Sequence, residues 1–405
     1  MNKWKQKYFT IWTGQAVSQI TSAVLQMAII WNLTATTNSA MVLSLATMIG
    51  FLPQAILGSF IGVLVDRWNR KTVMIVSDVL IALSAVYLFV LSITTGEVSI
   101  PVIMAVLFIR SVGTAFHSPA ISAITPLLVP AEELTKCAGY TQSMQSFSYL
   151  VSPALAAFVY AKWGVNAAIL LDVAGAFIAC LFVAVVHIPK QEYTSTEKVN
   201  FIKEIKEGYS ALKMNRGFVS MLLIGALFTL VYMPINALFP LIIMGYFGKT
   251  TTHVSISEIV FALGIMLGGI ILGKLGVIKK RSQIMIGAVS LMGVVLTVSG
   301  LLPEYAFWGF VVCCFFMGFS SPFYNGIQIA LFQEKIAPEY LGRVFGLFGN
   351  IVALAMPLGL IFSAVFADKV GISKWFAGSG ILILGIAVLC ISLPSFRKLG
   401  EEREQ

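Results

Sequence analysis

The chain has 405 residues, 58% of them hydrophobic and only 11% charged, with a mean hydropathy of +0.90. That balance excludes a soluble globular protein, which needs polar groups to cover its surface. The net charge of +9 does not call for nucleic acid. Of the 27 lysines and arginines, all but Lys162, Lys249, Lys369, Lys374 and Arg110 fall on one side of a membrane if the N-terminus is cytoplasmic, and such a bias sets the orientation of a membrane protein.

A hydrocarbon core about 30 Å thick takes about 20 apolar residues as a helix. Runs of that kind at 9–31, 41–64, 73–95, 100–123, 138–161, 165–188, 218–245, 255–276, 284–302, 305–331, 343–366 and 374–395 predict twelve transmembrane helices. The runs are continuous rather than alternating, and a helix satisfies its own backbone in lipid, so an all-α membrane protein is expected and not a barrel. The opening MNKWKQKYF has the charge of a secretory leader. No small-residue cleavage site follows a short apolar core, so it is read as the approach to the first span, with both termini cytoplasmic. Cys137, Cys180, Cys313, Cys314 and Cys390 lack metal-ligand spacing and read as small core residues.

Span 1 carries Gln15, Ser18, Gln19, Ser22 and Gln26 on one face, and no acid. Between spans 2 and 3 stands GVLVDRWNRK, residues 62–71, a short hinge holding Gly62, Asp66, Arg67, Asn69, Arg70 and Lys71. Asparagine tolerates a left-handed backbone better than other non-glycine residues, so Asn69 is expected to make a tight turn. Asp78, about two turns into span 3 from its inner end, is expected to join the hinge's charges. Arg110 stands within span 4, where burying its charge costs at least ~2.5 kcal/mol, so it must face a cavity or a partner. Asp172 in span 6 is the acid nearest to it in depth, either as a proton site or as a fixed counter-ion.

Span 5 presents Ser148, Ser152, Pro153, Ala156 and Ala157, small residues that let helices approach around a proline expected to bend the span. Gln142, Gln145, Tyr149 and Ser152 fall on one face of that span, and span 7 adds Tyr232 and Asn236 beside Pro234. Amides and aromatics without a strong charge suit a bulky amphiphile held by area and a few hydrogen bonds, although each of these residues would serve equally to join helix to helix. Ser255 and Glu258 are spaced as a capping box opening span 8. GGIILGK, residues 268–274, imitates a phosphate loop, but Leu275 stands where serine or threonine is needed. His117, His187 and His253 are scattered, with His117 near enough to Arg110 along span 4 to titrate. No catalytic constellation emerges, so the chain is not read as an enzyme.

Residues 190–216 are the longest polar stretch and divide the chain into bundles at 1–189 and 217–405. Within the linker Ile202, Ile205, Tyr209 and Leu212 recur at helical spacing, as in an amphipathic helix lying on the inner surface. The halves echo each other. PAEELTKCAG (130–139) and APEYLGRVFG (337–346) match at Glu132 and Glu339, Leu134 and Leu341, Lys136 and Arg343, Gly139 and Gly346, as a duplicated six-helix unit would.

Twelve spans, a long central loop and a six-plus-six repeat resemble the major facilitator superfamily. Gly62-x-Leu64-x-Asp66-Arg67-x-x-Arg70-Lys71 is similar to that superfamily's signature between helices 2 and 3. The resemblance implies two pseudo-symmetric six-helix bundles and a conformational latch in the hinge. In that latch Gly62 permits close packing, Asp66 caps or pairs across the halves near the start of span 11, and Arg67, Arg70 and Lys71 hold the cytoplasmic side shut. Arg110-x-x-Gly113 is similar to a pattern linked with proton coupling in related transporters, which makes Arg110, Asp172 and Asp78 the coupling candidates. Ser148-x-x-x-Ser152-Pro153-x-x-Ala156-Ala157 is similar to the superfamily's antiporter motif with serine and alanine in place of glycine.

Longer stretches, among them GQAVSQITSAVLQMAII, FIRSVGTAFHSPA, TPLLVPAEELTKCAGYTQS and LFQEKIAPEYLGRVFG, look like the Mef-type macrolide efflux proteins of bacteria. That resemblance implies export of macrolide antibiotics across the cytoplasmic membrane, driven by the proton gradient with no bound cofactor, and hence resistance. It also suggests cooperation with an ABC-F type ribosome-protection protein. A monomer in the lipid bilayer is expected. Export of other amphiphilic drugs, or symport of a metabolite, would use the same fold.

Overall fold

A computed structural model describes residues 3–96, 98–130, 133–188, 216–275, 280–336, 338–397 and 399. The described residues are helical apart from short connections, as the continuous apolar runs require. The first bundle's helices are α1 (Lys3–Thr37), α2 (Ala40–Arg67), α3 (Arg70–Thr95), α4 (Ile100–Leu128), α5 (134–163) and α6 (165–185). The remainder are α7 (Arg216–Leu241), extended by a π-helical turn (Ile242–Tyr246), α8 (Thr251–Lys274), α9 (Arg281–Leu301), α10 (Phe307–Lys335), α11 (Pro338–Val370), α12 (Ile372–Ser392) and the short α13 (Pro394–Arg397). Several run past their predicted apolar spans at one or both ends. Apolar runs mark the stretch that suits hydrocarbon, whereas backbone hydrogen bonding carries a helix on into polar residues.

One expected break is located and two local expectations change. α5 and α6 form one run of helical hydrogen bonding, Leu134–Val185, interrupted at Gly164, where φ is 73° and ψ −169°. Only glycine adopts that backbone without strain, so the break between spans 5 and 6 falls at Gly164, while Pro153 lies inside α5. Asn69 has φ −69° and ψ 104°, and its side chain accepts from the backbone N–H of Lys71 at 3.1 Å and Thr72 at 3.3 Å. It is the N-cap of α3 rather than a left-handed turn; among the described residues the non-glycine positive φ belongs to Asn38, at 46°. The capping box at Ser255 and Glu258 does not form. α8 already begins at Thr251 after Thr250, so both residues lie inside the helix, beyond the free N–H groups that a cap satisfies.

By internal contacts the chain divides into two compact units, one of residues 1–36 and 46–199, the other of 37–45 and 200–405. In the first, α3 packs against α4 and the α5–α6 pair. Tyr8, Met74, Ala115, Ile124, Cys137 and Val183 share its core, and Tyr8 Oη donates to the Cys137 carbonyl at 3.1 Å. α1 meets α6 closely where Gly14 faces Ala179 and Phe182 and where Gly175 faces Thr21.

In the second unit, α10 packs against α8 and α9, α12 against α9 and α7, and α11 against α7. Gly264 and Gly268 of α8 lie so close to the backbone at Phe315 and Phe319 that a Cβ would collide. The stretch imitating a phosphate loop is thus a small-residue helix contact. Residues 37–45 belong to this unit through Asp368, near the end of α11. Its carboxylate accepts from Ser39 Oγ at 2.8 Å and from the N–H groups of Ala40 at 2.6 Å and Met41 at 3.1 Å. A negative charge there satisfies the first free donors of α2 and opposes its helix dipole favourably.

Candidate transport site

The first unit holds a buried ion pair. Arg110 of α4 is 7% exposed and Asp172 of α6 is 1% exposed. Arg110 Nη1 donates to Asp172 Oδ2 at 2.5 Å, and Ser22 Oγ of α1 donates to Oδ1 at 2.6 Å. Three helices thereby satisfy both oxygens of one carboxylate, the condition under which a charge survives burial. The sequence placed Ser22 on a cavity-lining stripe, but its hydroxyl is committed to Asp172. Gly113, one turn along α4, packs on Ile81 and the Ser77 carbonyl of α3.

Asp78 does not join the hinge charges. It turns into the bundle, 5% exposed, with His117 Nε2 of α4 at 3.4 Å from its Oδ1. Neither that nitrogen nor Asp78 Oδ2 has a hydrogen-bond partner, so the contact is one of proximity and charge rather than a formed hydrogen bond. In the hinge itself, Lys71 Nζ donates to the carbonyls of Ala184 at 2.6 Å and Val186 at 2.9 Å, the C-terminal end of α6. Arg70 Nη1 donates to the Ala123 carbonyl at 3.1 Å. Both bases thus hold carbonyls of their own bundle, and Lys71 does so at a helix C-terminus, where cations are favoured. Gly62, Asp66 and Arg67 lie in the last turns of α2; their side chains are outside the described residues.

A cavity of about 330 Å³ opens beside the core of this unit, lined by Trp12 and Gln15 of α1, Ser122 and Thr125 of α4, Met144 and Gln145 of α5 and apolar neighbours. Trp12 Nε1 and Gln15 Nε2 are buried donors without partners. Unsatisfied donors in an apolar cavity favour a ligand that presents oxygen acceptors. Trp12 escaped the sequence reading because a tryptophan in an apolar run looks like lipid contact. Gln19 is half-buried, Gln26 lies against Gly50 of α2, Tyr149 is 78% exposed, and the Gln142 side chain is outside the described residues. Ser148 and Ser152 are buried with their hydroxyls 3.3 Å apart, and Ala156 and Ala157 are buried beyond Pro153.

The second unit brings together Tyr232 and Asn236 of α7 with Glu258 of α8. They line a separate cavity of about 90 Å³ with Ile235, Phe239, Phe261 and Met317. Glu258 Oε2 is sealed from solvent with no hydrogen-bond partner. A periodicity reading overlooked this acid because its distance from Ser255 imitated a cap.

The residues 11–360 match the family model of the Major Facilitator Superfamily. Macrolide efflux protein A of Streptococcus pyogenes is 56% identical over 98% of both chains, and that of Enterococcus faecalis is 55% identical over 80% of this chain and 99% of its own. Among solved structures, a bacterial homologue of the iron transporter ferroportin superposes with a TM-score of 0.73 at 13% identity, covering 96% of this chain and 98% of that one. These likenesses, with eleven helices among the described residues long and apolar enough to cross a membrane, describe a multi-pass membrane transporter and not an enzyme. The chain belongs to the Major Facilitator Superfamily and, within it, to the family of the macrolide efflux A proteins.

Proposed function

We propose that this protein exports macrolide antibiotics across the bacterial cytoplasmic membrane by alternating access driven by the proton gradient, and so confers resistance. The observation that carries the reading is the 56% identity with macrolide efflux protein A across nearly the whole of both chains. Two unpartnered donors in an apolar cavity are consistent with it, because a macrolide is a large lactone rich in oxygen acceptors. Orientation with both termini inside rests on the one-sided distribution of lysine and arginine. As a working unit the protein is a monomer in the bilayer, with an ABC-F type ribosome-protection protein as the partner that would act downstream on escaped drug.

For the energy source, Arg110 and Asp172 are the proton-coupling pair. A proton on Asp172 cancels the carboxylate charge and leaves Arg110 to seek another partner, so the pair gives a proton two arrangements of α4 and α6 to select between. Asp78, facing His117, is the second candidate. Gly62, Asp66, Arg67, Arg70 and Lys71 are the latch that holds the cytoplasmic side shut during part of the cycle.

The test is accumulation of radiolabelled erythromycin in a drug-sensitive bacterial host, with and without an uncoupler. Expression should lower accumulation, and the uncoupler should restore it. Asp172→Asn should abolish the uncoupler-sensitive part at normal membrane levels. Accumulation unchanged by expression would overturn macrolide export, and an uncoupler-sensitive Asp172→Asn would remove Asp172 from the proton path.

A further inference from the structure

Glu258 is a carboxyl group in an apolar helix for which, among the described residues, no lysine, arginine or histidine forms an ion pair. The groups around it are specific. Tyr232 and Asn236 come from α7, one turn apart, Phe261 lies on α8 itself, and Met317 comes from α10. The titratable groups that face it are Tyr232 and, from α10, Cys314, neither of which carries positive charge. Asn236, at the edge of the cavity, is exposed, so the pocket has a mouth.

An ionised carboxylate without a partner in such surroundings is costly, and a ligand that supplies a cation removes the cost. Tyr232, Phe239 and Phe261 line the same cavity, and aromatic rings attract a cation through their quadrupoles. A volume of about 90 Å³ is well below the roughly 300 Å³ at which pockets begin to enclose a drug-sized molecule. It suits a small head group. We propose that Glu258, with Tyr232, Asn236, Phe239 and Phe261, forms a subsite for the protonated tertiary-amine or quaternary-ammonium head of an amphiphilic substrate. This deepens the export reading and rests on it for the physiological ligand, but the cation site itself is testable without a macrolide.

The experiment measures equilibrium binding to the purified full-length protein in detergent. The probes are erythromycin, whose sugar carries a dimethylamino group, its N-demethyl-N-acetyl derivative, where that nitrogen is a neutral amide, and benzyltrimethylammonium, a fixed cation unrelated to macrolides. Glu258→Gln should weaken erythromycin and benzyltrimethylammonium by about tenfold or more and leave the neutral derivative within about twofold, while Glu258→Asp retains most cation binding. Equal loss of all three probes, or no loss of any, would overturn the subsite, as would a wild-type protein that binds neither cation. Wild-type binding of benzyltrimethylammonium that is lost in Glu258→Gln, without binding of erythromycin, would uphold the subsite and count against macrolides as its ligand.

Discussion

Asp172 of the first unit and Glu258 of the second both stand in transmembrane helices, and the two are treated in opposite ways. Asp172 has an arginine on one oxygen and a serine on the other. Glu258 has an oxygen with no partner, in a small aromatic cavity. The first arrangement satisfies both oxygens within the protein, whereas the second leaves Oε2 for the cation proposed above.

Substitutions that unbalance the two sites put this contrast to the test. Arg110→Leu should have the largest effect, because it strands the Asp172 charge. The expected loss is about 3–5 kcal/mol, read as reduced folded protein in membranes and a lower unfolding temperature in detergent, with most of the loss recovered in Arg110→Leu combined with Asp172→Asn. Ser22→Ala removes a hydrogen bond to the same carboxylate and should cost about 1.5–3 kcal/mol in the same thermal assay.

Asp368→Asn offers a control outside the membrane-buried pair. Loss of the charge capping α2 should lower stability by about 0.5–1 kcal/mol, and the difference should shrink at high salt. Glu258→Gln should have the smallest effect on the ligand-free protein, within about 1 kcal/mol of wild type or slightly stabilising, since no partner is lost. A loss at Glu258 as large as that at Arg110 would mean that the carboxylate is already paired, and the contrast between the units would fall.

Much of the architecture was legible because lipid imposes a simple rule: long apolar runs must be helices. Arg110 was legible for a related reason, since a charge within an apolar run demands a partner, and Asp172 was the acid at a matching depth. Local geometry misled more often. Asn69 reads as a turn former, and only the start of α3 at Arg70 makes it a helix cap. The distance from Ser255 to Glu258 fits a cap, but the helix begins earlier. Asp78 lies close to the hinge in sequence, yet its side chain turns into the bundle toward α4.

What the sequence by itself determined follows from one-dimensional quantities: the membrane environment from composition, the helices from run length and the family from long matching stretches. Tertiary structure alone decided which polar atoms found partners. Ser22 and Gln15 share one stripe of α1, but Ser22 meets Asp172 while Gln15 Nε2 is left unpartnered at the edge of a cavity. Satisfaction of a buried group depends on atoms contributed by other helices at about 3 Å, and neither composition nor periodicity along one helix records what the neighbouring helix places there.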